Sequence, residues 1–484
     1  MRRAQSVLLI WAALFTSAAA EEASTIDLGS RRELLIDRHL IERLDRAELT
    51  LHQPRDEGAV LAFDAPWEGA FCGYVTVIRD GDRYRLYYRG LPTAGRDGST
   101  SEVACYAESS DGIHWTKPNL GLFEVNGSRE NNVILANAAP VTHNFSPFLD
   151  TNPDAPAEER FKALGGTSRS GLIGYASPDG IHWRKLQEDA VFKDTGWVFD
   201  SQNVSFWSEA EGAYVLYYRK APDRIRAMAR ATSPDFIHWS EPQMMTYSDT
   251  GTQKPSHHLY TNQTHPYFRA PHIYISTAAR FMPGRQVISA EQAREINVNP
   301  SYFKDTSDAV LLTSRGGTQY DRTFLGALIR PGIGPQNWVS RTNYPALNVV
   351  QTGPTEMSVY TNQDYGQPTA HLHRYSWRLD GFASVRAPYE GGELVTRPLT
   401  FSGKELEINF ATSAAGGLRV EIQDASGKPV PGYALEDCVE QIGNEIDRVV
   451  TWKGGPDLSR LVGKPVRMRV ALKDADLYAF RFRE

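Results

Sequence analysis

The chain has 484 residues, a formal net charge of −6 and three cysteines. Its lysines and arginines form no basic run, so we expect neither nucleic acid nor an anionic membrane surface as a partner. Three cysteines cannot all pair within one chain, which excludes a disulfide framework. We expect Cys72, Cys105 and Cys438 to be small buried apolar residues instead.

The first 20 residues have the pattern of an export signal. Arg2 and Arg3 precede an apolar stretch, and the small residues Ala18 to Ala20 follow it. That stretch is shorter than the roughly 20 residues that a membrane-spanning helix needs, and no later segment is comparably apolar. We therefore predict a cleavable signal peptide over 1–20, no membrane span, and a secreted or periplasmic protein.

A short motif, Ser-x-Asp-x-Ile-His-Trp, occurs at 109–115, 177–183 and 233–239. Degenerate copies follow at 314–320 and 379–382. Asp-Gly is a tight-turn sequence, and the aromatic residue after it can pack between neighbouring sheets. Alternating β-branched and aromatic segments precede each turn, which indicates three strands before the turn and one after it. Five such units predict a five-bladed β-propeller, in which the repeated histidines belong to the scaffold.

The predicted fold class is all-β, with one short helix over 289–296. We divide the chain into an N-terminal lead-in with strands at 21–58, the propeller at 59–387 and a β-sandwich at 388–484. The sandwich is expected to buttress the propeller, with carbohydrate binding as the alternative. We expect a monomer or a small homo-oligomer.

The inner strands of a propeller line a central channel, and their first residues open onto one face. Glu68, Asp200 and Glu356 are predicted to stand at the starts of the inner strands of blades one, three and five. Hydrolysis of a glycosidic bond needs one carboxylic acid and a second carboxylate across the sugar. We interpret these three residues as catalytic, with Asp200 as stabiliser or base. The alternative is that each of them only bonds backbone amides or caps a strand.

Further polar and aromatic residues near the strand starts are predicted to bind substrate. They are Trp67, His143, Asp150, Gln202, Asn203, Tyr260, His265, Arg269, Asp321 and Arg322. For the aromatic residues the alternative is blade packing, for Asp150 a turn, and for Asp321 an ion pair with Arg322. The histidines lack the spacing of metal ligands, so we predict no metal site and no cofactor, with a calcium ion on the axis as an open alternative.

The chain resembles the five-bladed propellers of glycoside hydrolase families 32 and 43, and more closely a group of exported bacterial family-32-like glycosyl hydrolases. The resemblance is carried by the repeated turn and by the segments 32–37, 259–271, 353–358 and 451–455. It implies a glycosidase whose acids from different blades serve as base or nucleophile, stabiliser and acid. The chain lacks the Trp-x-Asn-Asp-Pro-Asn-Gly and Arg-Asp-Pro motifs of fructan-cleaving enzymes. The turn is also similar to the Asp-box of sialidases, which is a structural element.

Two functions are consistent with these sequence features. The first is an exported glycoside hydrolase that acts on a poly- or oligosaccharide, so that carbohydrate is the expected partner. The second is a propeller that binds glycan or serves as a scaffold without catalysis. Carboxyl groups that stand about 5 to 9.5 Å apart across an open pocket would favour the first function.

Overall fold

The structure, a computed structural model, describes residues 25–484. The predicted signal peptide lies outside the described residues. Within them no helix is long and apolar enough to cross a bilayer. The chain is nearly all β, with a five-bladed propeller and a C-terminal sandwich, as predicted. The three cysteines are free and buried.

Blades one to three are four-stranded antiparallel sheets. From the axis outwards, blade one consists of Gly73–Asp80, Arg83–Gly90, Val103–Ser109 and Val133–Leu135. Blade two consists of Ser146–Leu149, Phe161–Thr167, Gly171–Ser177 and Arg184–Lys185. Blade three consists of Val204–Ser208, Ala213–Lys220, Ala227–Ser233 and Gln243–Met244. Alternating β-branched and aromatic residues in these strands pack against both neighbouring blades, which is why both faces of each sheet are buried.

Blade four is interrupted by an insertion. Its strands are Thr264–Tyr267, Ala270–Met282, Thr306–Ser314 and Ala327–Ile329, with His258–Leu259 added beside the second strand. The short strands Thr246–Tyr247 and Gln319–Tyr320 form a separate parallel pair. The predicted helix is found at Ala290–Glu295 between the second and third strands. Ser289 caps it through a reciprocal hydrogen-bond pair with Gln292.

Blade five differs from the sequence prediction. Its inner strand is the broken pair Tyr344–Pro345 and Val350–Gln351, followed by Glu356–Gln363 and His371–Arg378. The fourth strand is Arg55–Ala62, which comes from the N-terminal side of blade one and closes the ring. Glu356 therefore begins the second strand and not the inner one, so its predicted position was wrong. The inner strand escaped detection because it is short and interrupted.

The repeated turns lie at the ends of the third strands. In the first copy, Asp111 Oδ1 accepts hydrogen bonds from the backbone N–H groups of Ile113 and His114, both at 2.8 Å. The imidazole of His114 contacts the other carboxylate oxygen at 2.7 Å, and the same contacts recur in the other two full copies. The tryptophans pack between blades, as Trp183 does against Tyr87 of blade one. The scaffold role predicted for these histidines agrees with this geometry.

The C-terminal sandwich contains ten strands joined by one hydrogen-bond network. Its two long strands, Glu405–Asp424 and Val466–Arg483, pair along their lengths and bend at a bulge after Thr412. Their two halves pack on one apolar core. The shorter C-terminal strands are Ala383–Ala387, Gly392–Thr396, Leu399–Thr400 and Asn444–Val449. Four strands come from the N-terminal lead-in, namely Ile26–Asp27, Arg32–Leu34, Ile41–Asp45 and Glu48–Leu51.

Candidate active site

We call the side of the propeller where the inner strands begin the near face, and the opposite side the far face. In an antiparallel blade, the loop between the second and third strands also returns to the near face. The residues before the inner strands therefore meet the residues of these loops around the axis. The cleft that results has a volume of about 430 Å³ and is lined by Asp97, Trp197 and Asp200, among other residues.

Asp200, His143 and Asp97 form the centre of this cleft. Each side chain has one potential ligand atom, a carboxylate oxygen or an imidazole nitrogen, that lies within 4.8 Å of the corresponding atoms of the other two. Asp200 precedes the inner strand of blade three, and its Oδ1 is 3.9 Å from His143 Nε2. Its Oδ2 accepts a 2.5 Å hydrogen bond from Arg219, which ends the second strand of the same blade. Asp97 reaches in from the exposed loop of blade one.

Behind His143 stands a buried ion pair. Glu102 Oε1 is 2.9 Å from His143 Nδ1, and both side chains are 1% exposed. Arg89 Nη1 contacts the same imidazole nitrogen at 3.2 Å and lies 4.0 Å from Glu102. An ionised carboxylate only accepts, so the shorter contact with Glu102 requires a proton on Nδ1 that is donated to Glu102. The imidazole is thereby fixed with Nε2 directed at Asp200.

The three central groups have displaced pKa values. Burial raises the pKa of Asp97, and the charge of Asp200 raises it further. Burial also acts to raise the pKa of Asp200, but the nearby His143 imidazole, at 3.9 Å, and the charge of Arg219 outweigh it and hold that pKa well below its usual range. Burial opposes the charged form of His143, yet the nearby carboxylates of Asp200 and Glu102 raise its pKa. Of the two aspartates, Asp97 is therefore the one that retains its proton to higher pH.

Aromatic side chains and arginines surround the acids. Trp197 is 44% exposed beside Asp200, and its ring lies over the guanidinium of Arg219. The ring of Tyr74 packs edge-on against His143. Tyr260 is buried at the start of blade four. Exposed aromatic surface beside polar groups is suited to a sugar ring, which offers an apolar face and a rim of hydroxyls.

The backbone at or just before the start of four of the inner strands adopts positive φ at residues other than glycine. The angles are +52° at Tyr74, +60° at Phe199, +52° at Gln263 and +61° at Arg341. Side chains with a Cβ rarely adopt this region, and such strain is concentrated at functional sites. Phe199 immediately precedes Asp200, so the strained turn directs that carboxylate into the cleft.

Within the described part of the chain, one group of three potential ligands lies close enough for a metal ion, namely Asp97, His143 and Asp200. Glu102 supports His143 as a carboxylate supports a metal-bound imidazole. However, Asp200 is paired with Arg219, and the raised pKa of His143 favours the imidazolium, which cannot bind a metal. Calcium also prefers roughly six to eight oxygen ligands. The group fits a cluster of acids around an imidazolium better than a metal site.

The structure brings together four of the residues predicted from sequence around the near face and the channel. Besides Asp200, His143 and Tyr260, it places Gln202 in the channel below them. Gln202 donates to Thr76 at 2.8 Å and accepts from Gln263 at 2.7 Å, which links blades three, one and four. Asn203 is buried and donates to the Ser201 carbonyl, so it stabilises the local turn.

Glu68 and Trp67 lie inside the scaffold. Glu68 is fully buried, accepts a 2.5 Å hydrogen bond from Tyr88 and pairs with Lys117 at 2.6 Å. Trp67 donates to Asn132 at 2.8 Å and packs on the core of blade one. The prediction that Glu68 opens into the central pocket was wrong, because four residues separate it from the inner strand and return it into the blade.

Glu356 lies on the far face, because the second strand begins where the inner strand ends. Its carboxylate pairs with Arg374 at 2.9 Å and with Arg55 at 2.6 Å. It lines a separate cleft between blade five and the sandwich, with His52 and Tyr478. The expected convergence of Glu68, Asp200 and Glu356 on one pocket is therefore not what the structure shows.

The remaining predicted residues also lie away from the near face. Asp150 follows the end of an inner strand and pairs with Lys162 at 2.5 Å. His265 accepts from the Val349 N–H, and burial lowers its pKa to about 4. Arg269 pairs with Asp447 of the sandwich at 2.8 Å. Asp321 accepts from the Thr323 N–H and Arg322 lies 3.8 Å from Asp249, so the suggested Asp321–Arg322 pair is replaced by other partners.

Four residues of the site were not predicted from the sequence, namely Asp97, Glu102, Arg89 and Arg219. A signal for the two arginines was present, since Tyr-Tyr-Arg stands one residue before the end of the second strand in both blade one and blade three, at 87–89 and 217–219. The second strand ends on the near face, so a polar residue close to its end belongs to the pocket as much as the residue before the inner strand does. Asp97 lies in a loop with no local signal.

No family model and no curated protein matches the chain. Among solved structures, it is similar to an α-L-arabinofuranosidase from Clostridium thermocellum, at 12% identity and a TM-score of 0.39, over 62% of this chain and 88% of that one. It is also similar to a glycoside hydrolase family 32 β-fructofuranosidase from Bombyx mori, at 11% identity and a TM-score of 0.40, over 88% and 94% of the two chains. A third is an N-acetylgalactosamine deacetylase from F. plautii in complex with blood group B trisaccharide, at 14% identity and a TM-score of 0.43, over 70% and 97%.

Proposed function

We propose that the protein is an exported glycoside hydrolase that cleaves a poly- or oligosaccharide in the near-face cleft. The observation that carries this proposal is the pair Asp97 and Asp200, two neighbouring carboxyl groups whose pKa values are displaced in opposite directions. When the surroundings of two carboxyl groups shift their pKa values apart, the group with the higher pKa is suited to act as an acid and the other as a base. The pair stands beside the exposed ring of Trp197.

Asp97 acts as the general acid. It donates its proton to the glycosidic oxygen as the bond from that oxygen to the anomeric carbon breaks. Asp200 stays ionised through Arg219 and faces the positive charge that develops on the sugar, either directly or by taking a proton from the attacking water. His143, fixed by Glu102, holds the Asp200 carboxylate in place.

The two carboxyl groups are closer together than the roughly 5 to 9.5 Å spacing that glycosidases use, since their nearest oxygens are within 4.8 Å. Asp97 belongs to an exposed loop, whereas Asp200 is held by Arg219 and a strained backbone. In the proposed reaction, entry of a sugar displaces Asp97 outwards and opens the gap.

The same short separation supports a second candidate, a propeller that binds glycan without catalysis. Glu68 and Glu356 do not reach the cleft, so the site has two acids near the axis rather than the three expected from sequence. In this alternative, Trp197 and the surrounding polar groups hold a sugar that is not cleaved.

Activity on a panel of plant and algal polysaccharides, measured as release of reducing ends, separates the two candidates. On any polymer that is cleaved, Asp97→Asn and Asp200→Asn should each lower kcat by about 10²- to 10⁴-fold, the usual contribution of an acid or base. Glu356→Gln, on the far face, is the control and should retain turnover. Unchanged turnover in both aspartate variants would refute the site. Binding of a polysaccharide without release of reducing ends would favour the second candidate.

Export rests on the sequence of residues 1–20. Expression with this segment in a bacterial host, followed by mass spectrometry of the intact product, should show an N-terminus close to Glu21 in the exported fraction. Recovery of the full-length chain from the cytoplasm alone would contradict export and would leave the hydrolase proposal untouched.

A further inference from the structure

Three arginines converge on the ring of Tyr260, next to Trp197 in the wall of the near-face cleft. The guanidinium carbons of Arg219, Arg226 and Arg341 lie 4.6, 5.0 and 5.8 Å from the ring centre of Tyr260. They come from the end of the second strand and the start of the third strand in blade three, and from the segment before blade five. Two distant parts of the sequence, one with Arg219 and Arg226 and the other with Arg341, thus place like charges around a single aromatic ring.

The protein itself does not neutralise these charges. Among the described residues, the carboxylate paired with this group is Asp200, which binds Arg219. Arg226 contacts His258 at 3.3 Å, and Arg341 contacts the hydroxyl of Tyr302 at 3.3 Å, both of which are uncharged partners at neutral pH. The neighbouring Arg89 is matched by Glu102. Two positive charges therefore remain without an opposite charge beside them.

Several donor atoms of the group are also without hydrogen-bond partners. Arg219 is fully buried, yet its Nε and Nη1 have no acceptor, and neither does Nε of Arg226. Buried donors of a charged group are costly to leave unsatisfied. Burial and the nearby charge of Arg219 lower the pKa of Arg226, which reflects the same lack of an anion.

We propose that the near-face cleft takes an acidic sugar, whose carboxylate or sulfate group binds among Arg219, Arg226 and Arg341. This inference rests on the proposed carbohydrate function and specifies its substrate class. Guanidinium groups offer forked donors that match the oxygens of carboxylate and sulfate. Tyr260 forms the base of the site, and Trp197, whose ring lies 4.9 Å from the Arg226 guanidinium carbon, extends it to the cleft.

The position of Asp200 fits this arrangement. Arg219 bonds Asp200 through Nη2, while its buried Nε and Nη1 have no acceptor, so one side chain connects the arginine group to the carboxylate proposed to act at the anomeric carbon. The sugar is thereby oriented with its acidic group towards blades four and five. Arg96 and Arg169 line the same cleft and add positive potential at its opening.

Binding of small sugars tests the inference separately from hydrolysis. The full mature protein is titrated at low salt, with detection by NMR, against D-glucuronate and D-galacturonate, the 6-sulfates of D-glucose and D-galactose, and neutral D-glucose and D-galactose. We expect at least one acidic class to bind ten times or more tightly than the neutral sugars, and added NaCl to weaken it. The uronates and the sulfated sugars distinguish the two sources of the negative charge.

Arg226→Gln and Arg341→Gln should each abolish most of this preference, whereas Arg226→Lys should retain part of it. Arg460→Gln is the matched control, because Arg460 also lies over a tyrosine ring, Tyr433, but belongs to the sandwich. Unfolding midpoints of all variants establish that they are folded.

Equal binding of acidic and neutral sugars, absence of binding by all six, or an intact preference in both glutamine variants would overturn the inference. Hydrolysis of a neutral polysaccharide with no acidic preference would refute the anion site and leave the hydrolase proposal intact. A clear preference for acidic sugars without hydrolysis of any polymer would support the anion site and refute the hydrolase proposal.

Discussion

The two faces of the propeller differ in how closely their residues repeat from blade to blade and in how their charges are paired. On the far face, Asp111, Asp179 and Asp235 occupy equivalent positions, and each is bonded by its own turn. On the near face the corresponding positions of the blades carry different residues, several with positive φ, and the charges are only partly paired. Repetition of the same carboxylate contacts indicates scaffold, whereas divergence with unpaired charges indicates a site for a ligand.

If this division is correct, substitutions on the far face should change stability and leave turnover alone. The largest effect is expected at the buried pair of Lys162 and Asp150, whose side chains are 3% and 0% exposed. Lys162→Met leaves the Asp150 charge buried with only Tyr214 and Asn152 beside it, and should cost about 3–5 kcal/mol of unfolding free energy. Urea unfolding measures the loss, and kcat should not change.

Lys185→Met is the control for that variant. Its ion pair with Glu188 in the same blade is exposed, so its removal should have little effect on stability. A large loss of turnover in Lys162→Met under conditions where the protein is folded would show that the far face is not merely structural.

A pair of tryptophans compares the faces directly. Trp183 of the second turn packs 5.0 Å from Phe145 and donates to the Gly180 carbonyl, so Trp183→Ala should destabilise the fold by about 2–3 kcal/mol. Trp197→Ala removes a ring that is 44% exposed, and should cost little stability while weakening glycan binding. Thermal unfolding measures the stability of both variants, and a sugar titration measures their binding. A stable Trp183→Ala with weakened binding, or an unstable Trp197→Ala with intact binding, would contradict the proposed difference between the faces.

The five-bladed architecture could be predicted from the sequence because the far-face turns are local and repeated. Three full copies of the turn define their blades directly, and the Ser289 cap with Gln292 defines the helix. Closure of the ring was not predictable in this way, since strand 55–62 pairs with strand 371–378 across more than half of the chain. Pairing of remote segments depends on the whole fold, and neither strand encodes its partner.

The site was predicted less well for the same reason. Asp200 and His143 were found because they precede inner strands, whereas Asp97 lies in a loop whose direction depends on the completed blade. Glu68 and Glu356 were selected by sequence position alone. Their burial and ion pairs depend on Lys117 and Arg374, which come from other strands and loops.

The near face should also respond to pH in the range set by Asp97. Burial raises the pKa of this carboxyl, and the proposed acid works only when protonated. Activity should therefore fall tenfold per pH unit above that raised pKa, which corresponds to about 1.4 kcal/mol of barrier per unit. A pH profile of kcat measures the alkaline limb, and Asp97→Asn should remove it along with most of the activity. A wild-type profile without this limb would exclude Asp97 as the acid.

The smallest effect is expected from the far-face turns in acid. Hydrogen bonds from His182 and neighbouring amides lower the pKa of Asp179 to about 2, although burial acts in the opposite direction. A carboxyl whose pKa is depressed in the folded state contributes stability that is present above its unfolded pKa, roughly 3.9, and is lost as the pH falls towards 2. Because Asp179 is nearly half exposed, the loss should be below about 1 kcal/mol.

Unfolding midpoints measured between pH 5 and pH 2 test this contribution, with Asp189→Asn in the neighbouring loop as the control. Asp179→Asn should flatten the decline below pH 4, because the amide keeps an acceptor for the backbone N–H groups but cannot titrate. Since Asp111 and Asp235 make the same contacts, each of their asparagine variants should flatten the decline by a similar amount. Three unequal responses would show that the far-face turns are not equivalent, and the contrast with the near face would then rest on the unpaired arginines alone.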